Sequence, residues 1–196
     1  VTATGSDCGG LIGKVVQGPT TITGCLNKGN ISGNSLVGGL IGIAYPAANK
    51  ELNLTFDKCQ NLGAVTAAGS DCGGFLGKAA LDREGLTGSI TFTSCVNRGE
   101  VKANTRLGGF VGKYGRENVE NGAAGTALNV SLHFEKCLNA ANVTAKGWHT
   151  GGFLGHASIF EGMEFRSCVN IGTVSGAGNV GGFFGYIFAH LSGTKT

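Results

Sequence analysis

The sequence is short of the residues that break, charge or bind in an ordinary soluble domain. It has 2 prolines in 196 residues, and 14% of its residues are charged. So little proline, with no strict Gly-X-Y period, excludes a collagen-like triple helix. A net charge of +3, with no basic cluster longer than two residues, leaves no electrostatic footprint for nucleic acid. No run of about 18 consecutive apolar residues is present, so no membrane insertion is expected. The 7 cysteines include no Cys-x-x-Cys, which speaks against a metal site. No cofactor motif is present either. The Gly-Lys pairs at Gly13-Lys14, Gly77-Lys78 and Gly112-Lys113 fail as phosphate loops, because Val15, Ala79 and Tyr114 stand where Ser or Thr is needed.

What is abundant is glycine, 37 residues or close to one in five. That is well above the usual ~7%. At about 1 kcal/mol per helical site relative to alanine, it rules out an all-α fold. A hydrophobic content of 41% with low net charge argues against disorder. A β-rich, repetitive chain remains.

The repeat is explicit. A Gly-Gly-apolar-apolar-Gly pentapeptide occurs six times, at 9–13, 38–42, 73–77, 108–112, 151–155 and 181–185. Thirteen or 14 residues before five of them stands Cys-x-Asn: Cys25/Asn27, Cys59/Asn61, Cys95/Asn97, Cys137/Asn139 and Cys168/Asn170. Two residues after the Asn comes glycine, or Ala141 in the fourth case, and two further on Ile31, Val65, Val101, Val143 or Val174. Each unit reads as three short period-2 strands: one of the type Ile90-x-Phe92, one at Val101 and one at the pentapeptide. Three short strands cannot bury their own apolar face, so the units must stack. The expected fold is all-β: a parallel β-solenoid of about six coils with three strands per coil, roughly 30 Å long at ~4.8 Å per coil. A propeller would need four antiparallel strands per blade.

The ends are out of phase with the unit. Residues 1–10 repeat the pattern of 65–74, and 191–196 resemble 86–91. A bare end coil is an open sheet edge. Uncapped ends are therefore expected, with residues 1–196 forming a single solenoid region. It is either a segment of a longer repeat protein or a polymerising subunit, its partner being flanking repeats or itself, head to tail.

The pentapeptide joined to C-x-N-x-G-x-V resembles the GLUG-motif repeat of large cell-surface and secreted proteins. The resemblance covers nearly the whole chain and implies a surface-displayed, adhesin-like β-helical region, extracellular or at the cell surface. It implies no activity.

Each repeated position carries its own expectation. The five ladder cysteines read as buried thiols at a crowded inside corner, and Cys72 is close enough in sequence to approach Cys59 or Cys95 across the core. The Asn row reads as a ladder bonding its own coil's backbone and the amides above and below. Under strict alternation Leu11, Leu40, Phe75, Phe110, Phe153 and Phe183 face outward as a lateral-packing stripe; if the glycines bend the strand, both rows are buried instead. Inserts at 43–51, 78–88 and 113–129 gather Lys50, Glu51, Asp82, Arg83, Glu84, Tyr114, Arg116, Glu117 and Glu120 at one corner, the expected partner-binding face. Asn30, Asn53, Asn129 and Asn142 begin glycosylation sequons.

An enzyme is not expected. Asp7, Asp57, Asp71 and Asp82 do not line up in adjacent coils, and of the four histidines only His149 and His156 flank one pentapeptide. The sequence favours a non-enzymatic structural or adhesive solenoid, a stalk or fibre former. The alternative is a binding module for cell-surface glycans or proteins at the insert corner.

Overall fold

The computed structural model describes residues 1–83, 85–116, 129–159 and 162–189. It is an all-β parallel solenoid, without helix among the described residues. Along one coil the chain contributes in turn to five sheets. The first holds Thr20–Thr23, Glu51–Asp57, Thr87–Thr93, Asn129–Glu135 and Met163–Arg166. The second holds Leu26–Asn27, Gln60–Asn61, Val96–Asn97, Leu138–Asn139 and Val169–Asn170. The third holds Ile31–Gly33, Val65–Ala67, Val101–Ala103, Val143–Ala145 and Val174–Ser175. The fourth holds Cys8–Gly9, Val37–Gly38, Ser70–Gly73, Thr105–Gly108, Trp148–Gly151 and Gly178–Gly181. The fifth holds Ile12–Val15, Ile41–Ala44, Leu76–Ala80, Val111–Gly115, Leu154–Ile159 and Phe184–Ala189. The three strand positions read from the sequence are the first, third and fifth sheets. Two shorter segments, at the Asn and ahead of the pentapeptide, pair as well.

Pairing is parallel and in register, like over like: Val65 with Val101, Val101 with Val143, Val143 with Val174. Aromatic side chains follow the same rule. Phe56, Phe92, Phe134 and Phe165 stack face to face with centroids 4.6, 4.6 and 4.5 Å apart. Phe75, Phe110, Phe153 and Phe183 form a second column at 4.8 Å per step. The columns meet edge to face, as in the 5.7 Å contact of Phe92 with Phe110. Edge-to-face rings suit the aromatic quadrupole, and each buried Phe contributes roughly 1.5–3 kcal/mol of transfer free energy.

The second Phe column corrects the outward stripe. Leu40, Phe75, Phe110 and Phe153 are fully buried, Phe183 is half-buried, and only Leu11 of the first coil is exposed. Their neighbours Ile41, Leu76, Val111 and Leu154 are buried too. The chain bends at each Gly-Gly, so two successive side chains point inward from either side of a corner. Strict alternation holds only along an unbent strand.

Across the interior, the second glycine of the first five pairs, Gly10, Gly39, Gly74, Gly109 and Gly152, faces the Asn row. A Cβ on Gly74 would run into the Gly109 carbonyl oxygen and lie 2.6 Å from the Asn97 side chain; one on Gly39 would lie 2.7 Å from Asn61. This waist divides the core in two. On one side lie the Phe columns with Leu54, Ile90, Leu132 and the buried ladder thiols Cys59, Cys95 and Cys137. On the other are Ile31, Val65, Val101 and Val143 with Val37, Cys72 and Leu107. Cys72 is therefore in the smaller lobe, away from the ladder, where it donates to the Val65 carbonyl at 3.8 Å; all seven cysteines are free thiols.

The Asn ladder forms as the spacing implies. Nδ2 of each Asn donates to Oδ1 of the next: Asn27 to Asn61 at 2.7 Å, Asn61 to Asn97 at 2.9 Å, Asn97 to Asn139 at 3.0 Å and Asn139 to Asn170 at 2.8 Å. Nδ2 of Asn27, Asn61, Asn139 and Asn170 also donates to the carbonyl two residues on, at Gly29, Gly63, Ala141 and Gly172. Ala141 keeps the contact that its glycine counterparts make.

Candidate functional site

Left-handed backbone recurs at two positions of the coil: before each ladder cysteine, at Gly24, Lys58, Ser94, Lys136 and Ser167, and before the last residue but one of each fourth-sheet strand. At the second of these, Asp7, Leu36, Asp71, Arg106, His149 and Asn179 have φ between 49° and 63°. None is glycine, and each such residue costs roughly 1–2 kcal/mol. The last glycine of the following pentapeptide lies against this bend: a Cβ on Gly112 would sit 2.5 Å from the Cys72 nitrogen, and one on Gly155 2.5 Å from that of Leu107. The next residue along the fifth sheet is Lys14, Ile43, Lys78, Lys113, His156 or Tyr186, paired in that order. The bend row and this row together make one ionisable face.

Three sets of contacts are built there. The Arg106 guanidinium bridges coils to Asp71, with Nε on Oδ1 and Nη2 3.2 Å from Oδ2, and Nη2 also reaches Ser70 Oγ at 3.1 Å. Lys78 and Lys113 are buried, their stems packed along the coil stack. His149 and His156 are brought together with their Nδ1 atoms 3.2 Å apart, and both rings stand against Tyr186, at 4.7 and 5.1 Å between centroids. An Nδ1···Nδ1 bond requires one protonated and one bare nitrogen, so the pair shares a proton. His156 Nε2 lies 3.3 Å from Ser158 Oγ. The repeat does not reveal this Ser158–His156–His149 line, because Ser158 lies where the strand Leu154–Ile159 runs on beyond the pentapeptide. Ser158 is 1% exposed and His156 2%, so the hydroxyl has no surface from which to attack a substrate.

The buried thiols Cys59, Cys72 and Cys95 are chemically quiet. Burial pushes Cys59 up to about 11. Burial likewise raises Cys72, while a bond with Cys137 and then burial raise Cys95. The three buried ladder thiols each donate to the coil before: Cys59 to the Ile22 carbonyl at 3.2 Å, Cys95 to Phe56 at 3.4 Å and Cys137 to Phe92 at 3.4 Å. Protonated, buried sulfur is neither a nucleophile nor a metal ligand.

At the insert corner, Glu84, Glu117 and Glu120 lie outside the described residues. Lys50, Glu51 and Arg83 are exposed, while Asp82 and Arg116 are half-buried. Tyr114 is not at the surface. It is 2% exposed and donates its hydroxyl to the Val130 carbonyl, which makes it part of the core. The reason is that the fifth sheet runs on to Gly115, so the first residues of the insert are strand.

Here the first two inserts enclose a cleft of about 520 Å³, lined by Lys14, Val16, Gln17, Tyr45, Pro46, Ala47, Ala48 and Arg83. Three coils contribute. Lys14 Nζ is 5.0 Å from the Tyr45 ring centroid and the Arg83 guanidinium 5.2 Å, and Arg83 Nη2 donates to the Tyr45 hydroxyl at 2.8 Å. Neither Lys14 nor Tyr45 was singled out by the insert lengths, since Lys14 is a strand residue two coils away from Arg83.

The sequons fall on two kinds of position. Asn30, Asn129 and Asn142 are exposed and Asn53 is half-buried. Asn30 and Asn142 use Oδ1 to accept the next coil's Ala64 and Thr173 N–H at 3.0 and 3.1 Å. A second surface feature went unread: Leu26, Val169 and Ile171 are exposed along the Asn corner. Compared with known proteins, the chain matches no family model, no curated protein and no solved structure.

Proposed function

We propose that this chain is a non-enzymatic structural and adhesive β-solenoid, displayed outside the cell as part of a stalk or fibre. The observation that carries this reading is the uninterrupted Asn ladder from Asn27 to Asn170, accompanied from Phe56 and Phe75 onward by two Phe columns. Coils are tied to one another by side-chain amides and, from Phe56 onward, by stacked rings as well as backbone pairing, which is the construction of a stiff rod. The C-x-N and pentapeptide motifs support placing it with GLUG-type surface repeats. Its partners are flanking repeats or further copies, joined by the pairing that joins its own coils. Repeated weak contacts along such a rod add by avidity.

Negative-stain electron microscopy at micromolar concentration, with surface immunolabelling of the source cells, tests this. Rods or filaments of uniform width and labelling of intact cells are expected. Labelling only after permeabilisation would overturn the extracellular assignment, and globular particles would overturn the rod.

A second reading is favoured by the Lys14–Tyr45–Arg83 cleft: a binding module that recognises a glycan or protein at the insert corner. Purified rods would then bind a surface ligand as single molecules, without assembling.

A further inference from the structure

We propose that the cleft between the first two inserts is a binding site for an acidic saccharide, its carboxylate held between Lys14 Nζ and the Arg83 guanidinium. This rests on the reading of the insert corner as a binding face and names the ligand class for it.

The charge argument comes first. Among the described residues, no carboxylate pairs with Lys14 or Arg83; what both cations contact is the one phenol ring of Tyr45. Two like charges converging on a single ring repel one another, and the quadrupole of one tyrosine compensates only part of this. An anion placed between them removes the repulsion. The Arg83–Tyr45 hydrogen bond holds the guanidinium, so its remaining N–H groups are oriented before a ligand arrives.

The lining sets the rest of the ligand. Val16, Pro46, Ala47 and Ala48 give an apolar wall, and Gln17 adds an amide donor and acceptor. That combination suits a ring with a C–H face, hydroxyls at its edge and one carboxylate. The volume of about 520 Å³ lies within the ~300–1,000 Å³ of small-molecule sites, enough for one or two sugar units.

The test is an NMR titration of the full chain, following the Tyr45 ring, Lys14 Nζ and Arg83 Nε. Three probes are used at equal ionic strength: trigalacturonate, neutral galactotriose and acetate. Trigalacturonate should shift all three signals, with affinity falling at least tenfold in either Lys14→Ala or Arg83→Ala and becoming undetectable in the double variant. Arg83→Lys should recover part of it. Both side chains project from the core, so circular dichroism melts of the variants should match the parent. Equal shifts with galactotriose, or no shift at these residues with trigalacturonate, would overturn the proposal. Saturation by acetate at the same concentration would reduce the site to a simple anion trap and overturn the saccharide assignment. If shifts appear instead at Lys50 or Asp82 and survive the double variant, this inference fails while the insert corner stands as a binding face. If galactotriose binds the corner but trigalacturonate does not, the corner also stands, with a neutral ligand.

Discussion

The waist and the insert corner obey opposite rules. At the waist, where Gly-Gly faces the Asn row, every coil carries the same residue types. At the insert corner no two coils agree in length or composition. The difference is one of contact. At the waist each atom touches the coil above and the coil below, so a change in one coil must be matched in two others. At the insert corner the chain has left the stack and answers only to solvent and to its own loop. Identity between repeats therefore marks where coils touch, and variation marks where function can be written.

That comparison can be broken most sharply at the waist itself. Gly74→Ala drives a Cβ into the Gly109 carbonyl and against Asn97. Since the obstructing atoms are backbone and a ladder side chain, a loss of at least ~4 kcal/mol is expected, read as loss of the cooperative transition in urea. Next comes the Phe column. Phe92→Ala removes a ring stacked on Phe56 and Phe134 and should cost about 3–5 kcal/mol in the same assay. If Phe92→Ala costs more than Gly74→Ala, ring burial governs the stack rather than the waist.

Asn97→Ala should come third. It removes the ladder acceptor of Asn61 Nδ2, which keeps only its Gly63 carbonyl, and strips Asn139 Oδ1 of its Asn97 donor, at about 1–3 kcal/mol in all. Asn27→Ala, which has a single ladder partner, should cost about half as much. Equal costs would mean that the amides do not act as a ladder. By contrast, Arg83→Ala at the insert corner should change stability by no more than ~0.5 kcal/mol.

A more modest effect than those at the waist is set by pH. Folded-state thiols held above their unfolded value favour the protonated form, so their stabilisation is complete below the unfolded pKa. For Cys59, which burial raises from an ordinary thiol value of 9.0 to about 11, it is lost as pH rises from 9 towards 11. Cys72 and Cys95 shift in the same direction. Melting curves at pH 8 and 10.5 should therefore differ by about 5 °C, less so in Cys59→Ala. A melting temperature that rose with pH would contradict burial of the thiols.

Much of the candidate site could not be read along the chain. His149 and His156 were visible as a pair because both flank one pentapeptide. Ser158 was not, nor were Lys14 and Tyr45 as partners of Arg83, because these contacts join residues from neighbouring coils or beyond a bend. Tyr114 was misplaced because insert length was counted from the pentapeptide, whereas the fifth sheet extends several residues further.

The sequence by itself determined the period, the like-over-like register, the solenoid and the Asn ladder. These depend only on equal residues recurring at equal positions, which stacking turns into contacts. Only the tertiary structure decided where the coil bends. The bend at Gly-Gly turned both apolar rows inward, pinched the core into two lobes and set an ionisable row beside a left-handed corner. Alternation is a property of a straight strand, and the angle between two strands is fixed by what fills the space across from them.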